Sequence, residues 1–143
     1  MSARLTVTRS GPPKKRRDNP EQRLAIAVAD FLRVALPDDA VWWHTPNSIW
    51  TTVKQAGVHK AMGVKAGVAD ILLIYKGRPF AMELKSGTGS LSGAQHTWLS
   101  QFVRAGGAYC VVRNLDVVES LLIGWGIPLR ATLNPGSGWR LAA

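Results

Sequence analysis

The sequence contains a single cysteine, Cys110, and three histidines among its 143 residues. One cysteine excludes an internal disulfide, so we expect a reducing, cytoplasmic setting. Because Cys110 sits in the apolar run "AYCVV", a buried small side chain is favoured over a catalytic thiol. His59 and His96 do not have the spacing of zinc ligands, either with each other or with Cys110, so no zinc site is expected.

Long apolar runs are also missing. No run reaches the roughly 20 residues that span a bilayer. The polar, basic N-terminus lacks the apolar centre of a signal peptide, so we expect no membrane partner. With 46% apolar residues in 143, the chain is large enough to form one domain with its own core.

Acidic residues are scarce: nine acids stand against eighteen lysines and arginines, giving a net charge of +9. Such an excess favours a polyanionic partner, most often nucleic acid. Part of it lies in "KKRR", Lys14 to Arg17. We therefore predict a disordered basic arm over residues 1–18, either contacting phosphates or solvated, and a single domain over residues 19–143.

Local patterns predict an alternation of helices and strands. Asn19 caps a helix that begins at Pro20, and Ser92 caps a second helix with Gln95 as its capping-box partner. The next predicted elements are a strand at "AVWWHT", a loop or short helix around Thr52 to Met62, and strands over Ala69–Tyr75 and Pro79–Lys85. A strand at "AYCVVR" and a helix after Asn114 follow, and the tail from Ile127 to Ala143 is ambiguous, either an extra strand or an interface arm. This order predicts an α/β domain in which helices flank a mixed β-sheet.

The two central strands carry the chemistry. Alternation places Glu83 and Lys85 on the same face of the second strand. A tight turn centred on Gly77 and Arg78 would put Asp70 opposite Lys85, so all three side chains would converge near the strand ends. Two neighbouring carboxylates repel each other and need positive charge. Mg²⁺ or Mn²⁺ would supply it and would suit phosphodiester hydrolysis, with the lysine orienting water or stabilising charge.

Blander interpretations remain open at this point. A cross-strand ion pair between Lys85 and one acid would explain the spacing. Glu21 could complement the dipole of its helix instead of facing a site, and the capping box with Ser92 could alone explain Gln95. The glycines of "SGTGS" do not lead from a strand into a helix with a lysine, so no P-loop and no nucleotide cofactor are expected.

The arrangement D-x12-E-x-K, from Asp70 through Glu83 to Lys85, resembles the core of the PD-(D/E)xK nuclease superfamily. Ala69 replaces the usual proline before the first acid, a position that holds no ligand. The segments "HTPN", "GVKAGVADILLI" and "AMELKSGTGSLSGAQHTWLSQFVRAGGAYCVV" resemble the VRR-NUC branch, in the small stand-alone form of phages and bacteria. The likeness spans about Pro20 to Gly124.

This resemblance implies a restriction-endonuclease-like core and a Mg²⁺- or Mn²⁺-dependent endonuclease. By similarity, Asp70, Glu83 and the Leu84 carbonyl would bind the metal, and Lys85 would be the catalytic lysine. Glu21 would bind the metal directly or through water. Gln95, as a further catalytic residue, would position the attacking water or a phosphate.

Stand-alone members of this branch look like homodimers that cut branched DNA, such as four-way (Holliday) junctions, in a bacterial or phage-infected cell. Candidate DNA contacts are Asn47, Lys54, Lys60 and Lys65, although the lysines could equally form a solvated face. A non-catalytic junction-binding module is the second interpretation, and a basic protein with no nucleic-acid role is the third. Flaps, forks, linear ends and RNA all remain open as substrates.

Overall fold

The structure, a computed structural model, describes residues 18–46, 52–134 and 138–141. The predicted basic arm, apart from Asp18, and the predicted DNA contact Asn47 lie outside these residues. The described chain contains these elements: α1 (Pro20–Ala35), β1 (Ala40–His44), α2 (Val53–Ala61), β2 (Ile71–Tyr75), β3 (Arg78–Leu84), α3 (Gly93–Arg104), β4 (Ala108–Val112), α4 (Asp116–Gly124), β5 (Ala131–Asn134) and β6 (Gly138–Leu141).

The predicted order of elements and the α/β class are confirmed. Strands β1 to β4 form one mixed sheet in the order β1-β2-β3-β4. β1, β2 and β3 pair antiparallel, whereas β3 and β4 pair parallel. The connection between the parallel strands passes through α3, as a parallel pair requires. β5 and β6 form a separate hairpin, in the tail whose fold the sequence left ambiguous.

The predicted register of the β2–β3 hairpin is wrong by two residues. The turn consists of Lys76 and Gly77, both with positive φ (50° and 74°), so Tyr75 pairs with Arg78 and Ile71 with Met82. This is the backbone pattern of a type I′ turn, whose twist matches that of the strands. A shift of two preserves the faces, but one step beyond the ladder it brings Asp70 opposite Glu83 instead of Lys85.

The core lies on one face of the sheet, beneath α1 and α4. Its buried members come from five elements, the residue after α1 and the tail: Val28, Phe31, Leu32, Ala35, Leu36, Ile71, Leu73, Phe80, Met82, Leu84, Val112, Val118, Leu122, Ile127 and Ala131. α1 begins as predicted, with the Asn19 side chain accepting a hydrogen bond from Gln22 N at 3.1 Å. Its first turn, which carries Glu21, projects past the core toward the end of β3.

The opposite face of the sheet is the one that bears Glu83, and within the described residues α3 packs on it along β4. Trp98 of α3 stacks on Phe102 at 4.7 Å and approaches Tyr109 of β4 at 6.3 Å, centroid to centroid. In β1 and β2 this face is open, and Trp43 and Ile74 are about two-fifths exposed. Among the described residues, no helix is both long and apolar enough to cross a membrane.

Candidate active site

The two predicted acids stand at the same end of the β2–β3 hairpin. Asp70 precedes β2 and Glu83 is the last but one residue of β3. Asp70 Oδ2 accepts a hydrogen bond from Leu84 N at 2.8 Å. Glu83 is the one charged residue in the described chain that is fully buried, with 2% of its surface exposed. The predicted convergence of these two carboxylates is therefore present.

Lys85 follows directly after β3 and shares its face with Glu83. Its ammonium nitrogen lies 3.7 Å from Glu83 Oε1, and its side chain is only 16% exposed. An exposed ion pair, the bland interpretation of the sequence, does not describe this geometry, because both partners are largely removed from water. Lys85 N donates to Val112 O at 3.0 Å, which ties the backbone of the lysine to β4.

Gln95 joins the same group from α3. Its amide nitrogen donates to Glu83 Oε1 at 2.6 Å, and its amide oxygen accepts from Ser92 N at 2.8 Å. The predicted capping box is complete, since Ser92 Oγ also accepts from Gln95 N. The capping box is thus present, and the same side chain also reaches Glu83; its predicted role toward water or phosphate stays a prediction.

The environment of Glu83 disfavours its charged form. Burial is the main reason, the negative charge of Asp70 is the next, and Lys85 only partly offsets them; together they raise the pKa of Glu83 from 4.5 to about 7. Burial also raises the pKa of Tyr109 above its ordinary value, with further contributions from Glu83 and Asp70. The site therefore carries an excess of negative charge that its own lysine does not neutralise.

One atom shows where additional positive charge would fit. Glu83 Oε2 is buried and has no hydrogen-bond partner among the described residues. An unpartnered buried carboxylate oxygen is costly unless a cation or donor occupies the space beside it. Asp70, Glu83 and the Leu84 carbonyl are hard oxygen donors of the kind that Mg²⁺ and Mn²⁺ prefer, so the residues present fit a divalent cation. Across the described ranges, however, no three His, Cys, Asp or Glu side chains form a metal-binding group.

A cleft of about 960 Å³ opens over these groups. Its floor contains Asp70, Glu83, Lys85 and Gln95, and its opposite wall is formed by α2 and the segment that follows it. Two of the lysines predicted to contact DNA, Lys60 and Lys65, line that wall. Lys54 is exposed on α2 but is not among the residues that line the cleft.

Glu21 stands at the rim. Its Oε1 accepts from Ser86 N at 3.4 Å, a long hydrogen bond. Glu21, Asp70 and Leu84 line both the large cleft and a smaller adjoining cavity of about 350 Å³. Glu21 is exposed, so it is near the carboxylate pair without forming a third member of a compact acidic cluster.

Comparison with solved structures identifies a similar chain described as "VRR_NUC domain protein". The TM-score is 0.58 at 21% sequence identity, and the match covers 76% of this chain and 89% of that chain. The protein has the fold of a VRR-NUC domain. No family model and no curated protein matches the sequence. The fold predicted from the motifs is thus confirmed, whereas the roles of individual residues rest on the geometry above.

Within the VRR-NUC fold, three residues near the site had no predicted role there. His59 lines the cleft beside Lys60; Ala56, His59 and Lys60 fall on one helical face, a spacing visible in the sequence. Tyr109 lies on β4 and has a buried hydroxyl without a partner among the described residues. Its position depends on the β3–β4 register, in which Tyr109 stands beside Ala81, and no local pattern reveals that register. Gly67 packs against α3. Its segment "GVKAGV" was singled out in the sequence only by the resemblance to the VRR-NUC branch.

Proposed function

We propose that this protein is a divalent-metal-dependent endonuclease that hydrolyses phosphodiester bonds in DNA. The observation that carries the proposal is the buried Glu83 carboxylate next to the partly buried Asp70. Glu83 has one oxygen without a hydrogen-bond partner among the described residues, and the largely buried Lys85 lies beside it in the lining of a cleft. Structural ion pairs are usually exposed and satisfied. A buried excess of negative charge in a cleft is the arrangement expected of a site that holds a cation.

Each residue then has a definite task. Asp70, Glu83 and the Leu84 carbonyl would hold the cation, and Glu21 at the rim would contact it through water. A bound Mg²⁺ or Mn²⁺ polarises a phosphate oxygen and lowers the pKa of water. Lys85 places its positive charge beside the phosphate, where negative charge grows during attack. A water oxygen bonds to phosphorus and gives up a proton to solvent, the bond to the leaving sugar oxygen breaks, and that oxygen takes up a proton from solvent.

The nucleic acid reaches these groups through the cleft. Lys60 and Lys65 on its opposite wall contact backbone phosphates, a type of contact that positions a nucleic acid without reading its sequence. The net charge of +9 favours the same partner. The proposal also includes branched DNA, such as four-way junctions, as substrate and a homodimer as the active form. These two finer parts rest on the resemblance of the sequence motifs to stand-alone VRR-NUC proteins.

The decisive experiment incubates wild type and Lys85→Ala with labelled linear DNA, flaps, forks and four-way junctions, with Mg²⁺, Mn²⁺ or EDTA. We expect metal-dependent cleavage by wild type, strongest on junctions, and loss of cleavage in the variant. Sedimentation measurements check the dimer. Equal cleavage by both proteins would refute the role of Lys85, and cleavage in EDTA would refute the metal dependence.

A non-catalytic DNA-junction-binding module is the second candidate. One observation favours it: the described residues supply two compact carboxylates instead of a group of three. Such a module would bind junctions equally with and without metal, and Asp70→Asn would leave its affinity unchanged. Tight junction binding without cleavage under any metal condition would establish this alternative.

A further inference from the structure

We infer that Gln95 is a positioning residue for Glu83, set in place by the backbone of Ser92 and by the close packing of Gly67 on α3, and not a group that binds water or phosphate. The inference rests on the proposed function, because it concerns how the cation-binding carboxylate is oriented. It assigns Ser92 and Gly67 a role in the site.

The amide of Gln95 can take only one orientation. Its oxygen faces the Ser92 N–H at 2.8 Å and its nitrogen faces Glu83 Oε1 at 2.6 Å. Turning the amide over would bring two donors together at Ser92 and two acceptors together at Glu83. The two hydrogen bonds therefore fix each other. The amide oxygen and one amide N–H are consumed within the chain, which leaves little of the side chain to bind a ligand.

The fixed Gln95 amide treats the two carboxylate oxygens of Glu83 differently. Oε1 receives the Gln95 hydrogen bond and lies 3.7 Å from Lys85 Nζ, whereas Oε2 has no hydrogen-bond partner among the described residues. Gln95 and Lys85 thereby engage the same carboxylate oxygen, which leaves Oε2 available to a cation. Outer partners of this kind orient a metal ligand, and their loss commonly weakens metal affinity 10- to 100-fold.

Gly67 fixes where α3 begins relative to the carboxylates. A Cβ built on Gly67 would lie 2.2 Å from Ala94 O and 2.6 Å from Gln95 N. Both are backbone atoms, so neither can move aside without displacing the helix. Gly67 also has φ +75°, a conformation that glycine adopts without strain. Only two residues separate Gly67 from Asp70, so this contact sets the first turn of α3 against the segment that carries the first acid.

The chain contains matched controls for both elements. Thr52 and Gln55 form a second complete capping box at the start of α2, and Thr52 and Ser92 have nearly the same backbone angles (φ −72° and −73°). Gly63 has φ +91° with nothing within 4 Å of a built Cβ. Gly63→Ala therefore carries the strain of a positive φ without a collision, and Thr52 variants lose a cap away from the carboxylates.

The experiment measures Mn²⁺ binding to the full chain by calorimetry, without nucleic acid. Ser92→Ala removes the capping hydroxyl but keeps the N–H that binds Gln95, whereas Ser92→Pro removes both, and proline tolerates φ −73°. We expect Ser92→Pro to bind Mn²⁺ at least 10-fold more weakly than Ser92→Ala. Thr52→Pro and Thr52→Ala should bind Mn²⁺ equally.

If Ser92→Pro does not fold, Gly67→Ala provides the same test, with Gly63→Ala as its control. We expect about a 10-fold loss of Mn²⁺ affinity in Gly67→Ala and none in Gly63→Ala. A second readout needs no metal: the Gln95 side-chain amide resonance should move toward that of a free glutamine in Ser92→Pro and Gly67→Ala.

Different results would refute the proposed metal site and the positioning role of Gln95. If wild type binds no Mn²⁺, or Asp70→Asn binds it as tightly, the proposed metal site is wrong, and the amide resonance still tests the positioning. If wild type binds Mn²⁺ while Ser92→Pro and Gly67→Ala match their controls and leave the resonance in place, the positioning inference is wrong.

Discussion

Asp70 Oδ2 accepts the N–H of Leu84 at 2.8 Å, so the first acid of the motif is bonded to the backbone between the second acid and the lysine. The spacing of two residues from Glu83 to Lys85 is thereby explained. Leu84 must point into the core, where it is buried, while its N–H secures Asp70 and its neighbours face the cleft.

Lys85→Ala should reduce DNA cleavage in Mg²⁺ by roughly 100-fold or more, the scale seen when one charge-stabilising group is removed from an active site. Rates on the preferred labelled substrate provide the measurement. Lys76→Ala is a suitable control, because Lys76 pairs with Asp39 at 3.1 Å at the turn, the opposite end of the hairpin. A comparable loss in both variants would point to a general effect of charge instead of a catalytic role.

The metal-free protein should become less stable as pH rises. The folded-state pKa of Glu83 is raised from 4.5 to about 7, so the folded state binds this proton more tightly than the unfolded state. The contribution to stability is complete below pH 4.5 and is lost as pH rises through about 7. Its upper limit is on the order of 3 kcal/mol.

Urea unfolding in EDTA at pH 5 and pH 8 measures this effect. Glu83→Gln, which cannot titrate, should lose less stability between the two pH values than wild type. Mg²⁺ added to wild type at pH 8 should restore stability, because a ligand that binds only the folded state stabilises it. Parallel pH dependences in the two proteins would show that Glu83 keeps its ordinary pKa.

Lys60→Ala and Lys65→Ala should each weaken DNA binding by a similar factor for all sequences. Each should also lower the slope of log affinity against log salt concentration by about 1, as expected for the loss of one phosphate contact. Fluorescence anisotropy over a salt series in Ca²⁺ or EDTA measures both quantities. Lys54 lies outside the cleft lining, so Lys54→Ala should change the slope less; the reverse ranking would place the nucleic acid on a different surface.

Phe31→Ala should lower the free energy of unfolding by about 3 to 5 kcal/mol, since Phe31 is fully buried in the core and its loss leaves a cavity. Ile26→Ala on the same helix should cost much less, because Ile26 is 56% exposed. Chemical denaturation of the two variants provides the comparison. Similar losses would indicate that the exposed side of α1 is covered by a partner in solution.

Local sequence signals predicted much of this architecture. Asn19 and Ser92 act as helix caps where the capping patterns placed them, because caps depend on neighbours a few residues away. Alternation put Glu83 and Lys85 on one face for the same reason. The hairpin register was wrong, since the rule for a type I′ turn favours glycine at the second position and so selects Lys76 and Gly77.

Other features depend on contacts between distant segments. The pairing of Tyr109 with Ala81 follows from the parallel register of β3 and β4, which no nearby residue encodes. The bond from Gln95 to Glu83 spans 12 residues and requires α3 to begin at one particular place on the sheet. The tail became a hairpin, β5 with β6, only through pairing of its own residues, which the sequence left open.

Helix α2 buries none of its nine residues, yet it forms one wall of the cleft. Nine residues are too few for a helix to be stable alone in water, so in the free protein this wall opens locally at little cost. A nucleic acid that fills the cleft must therefore hold α2 in place. The affinity for nucleic acid therefore includes the entropic cost of ordering α2. The amide hydrogens of α2 should exchange quickly in the free protein and more slowly when nucleic acid is bound.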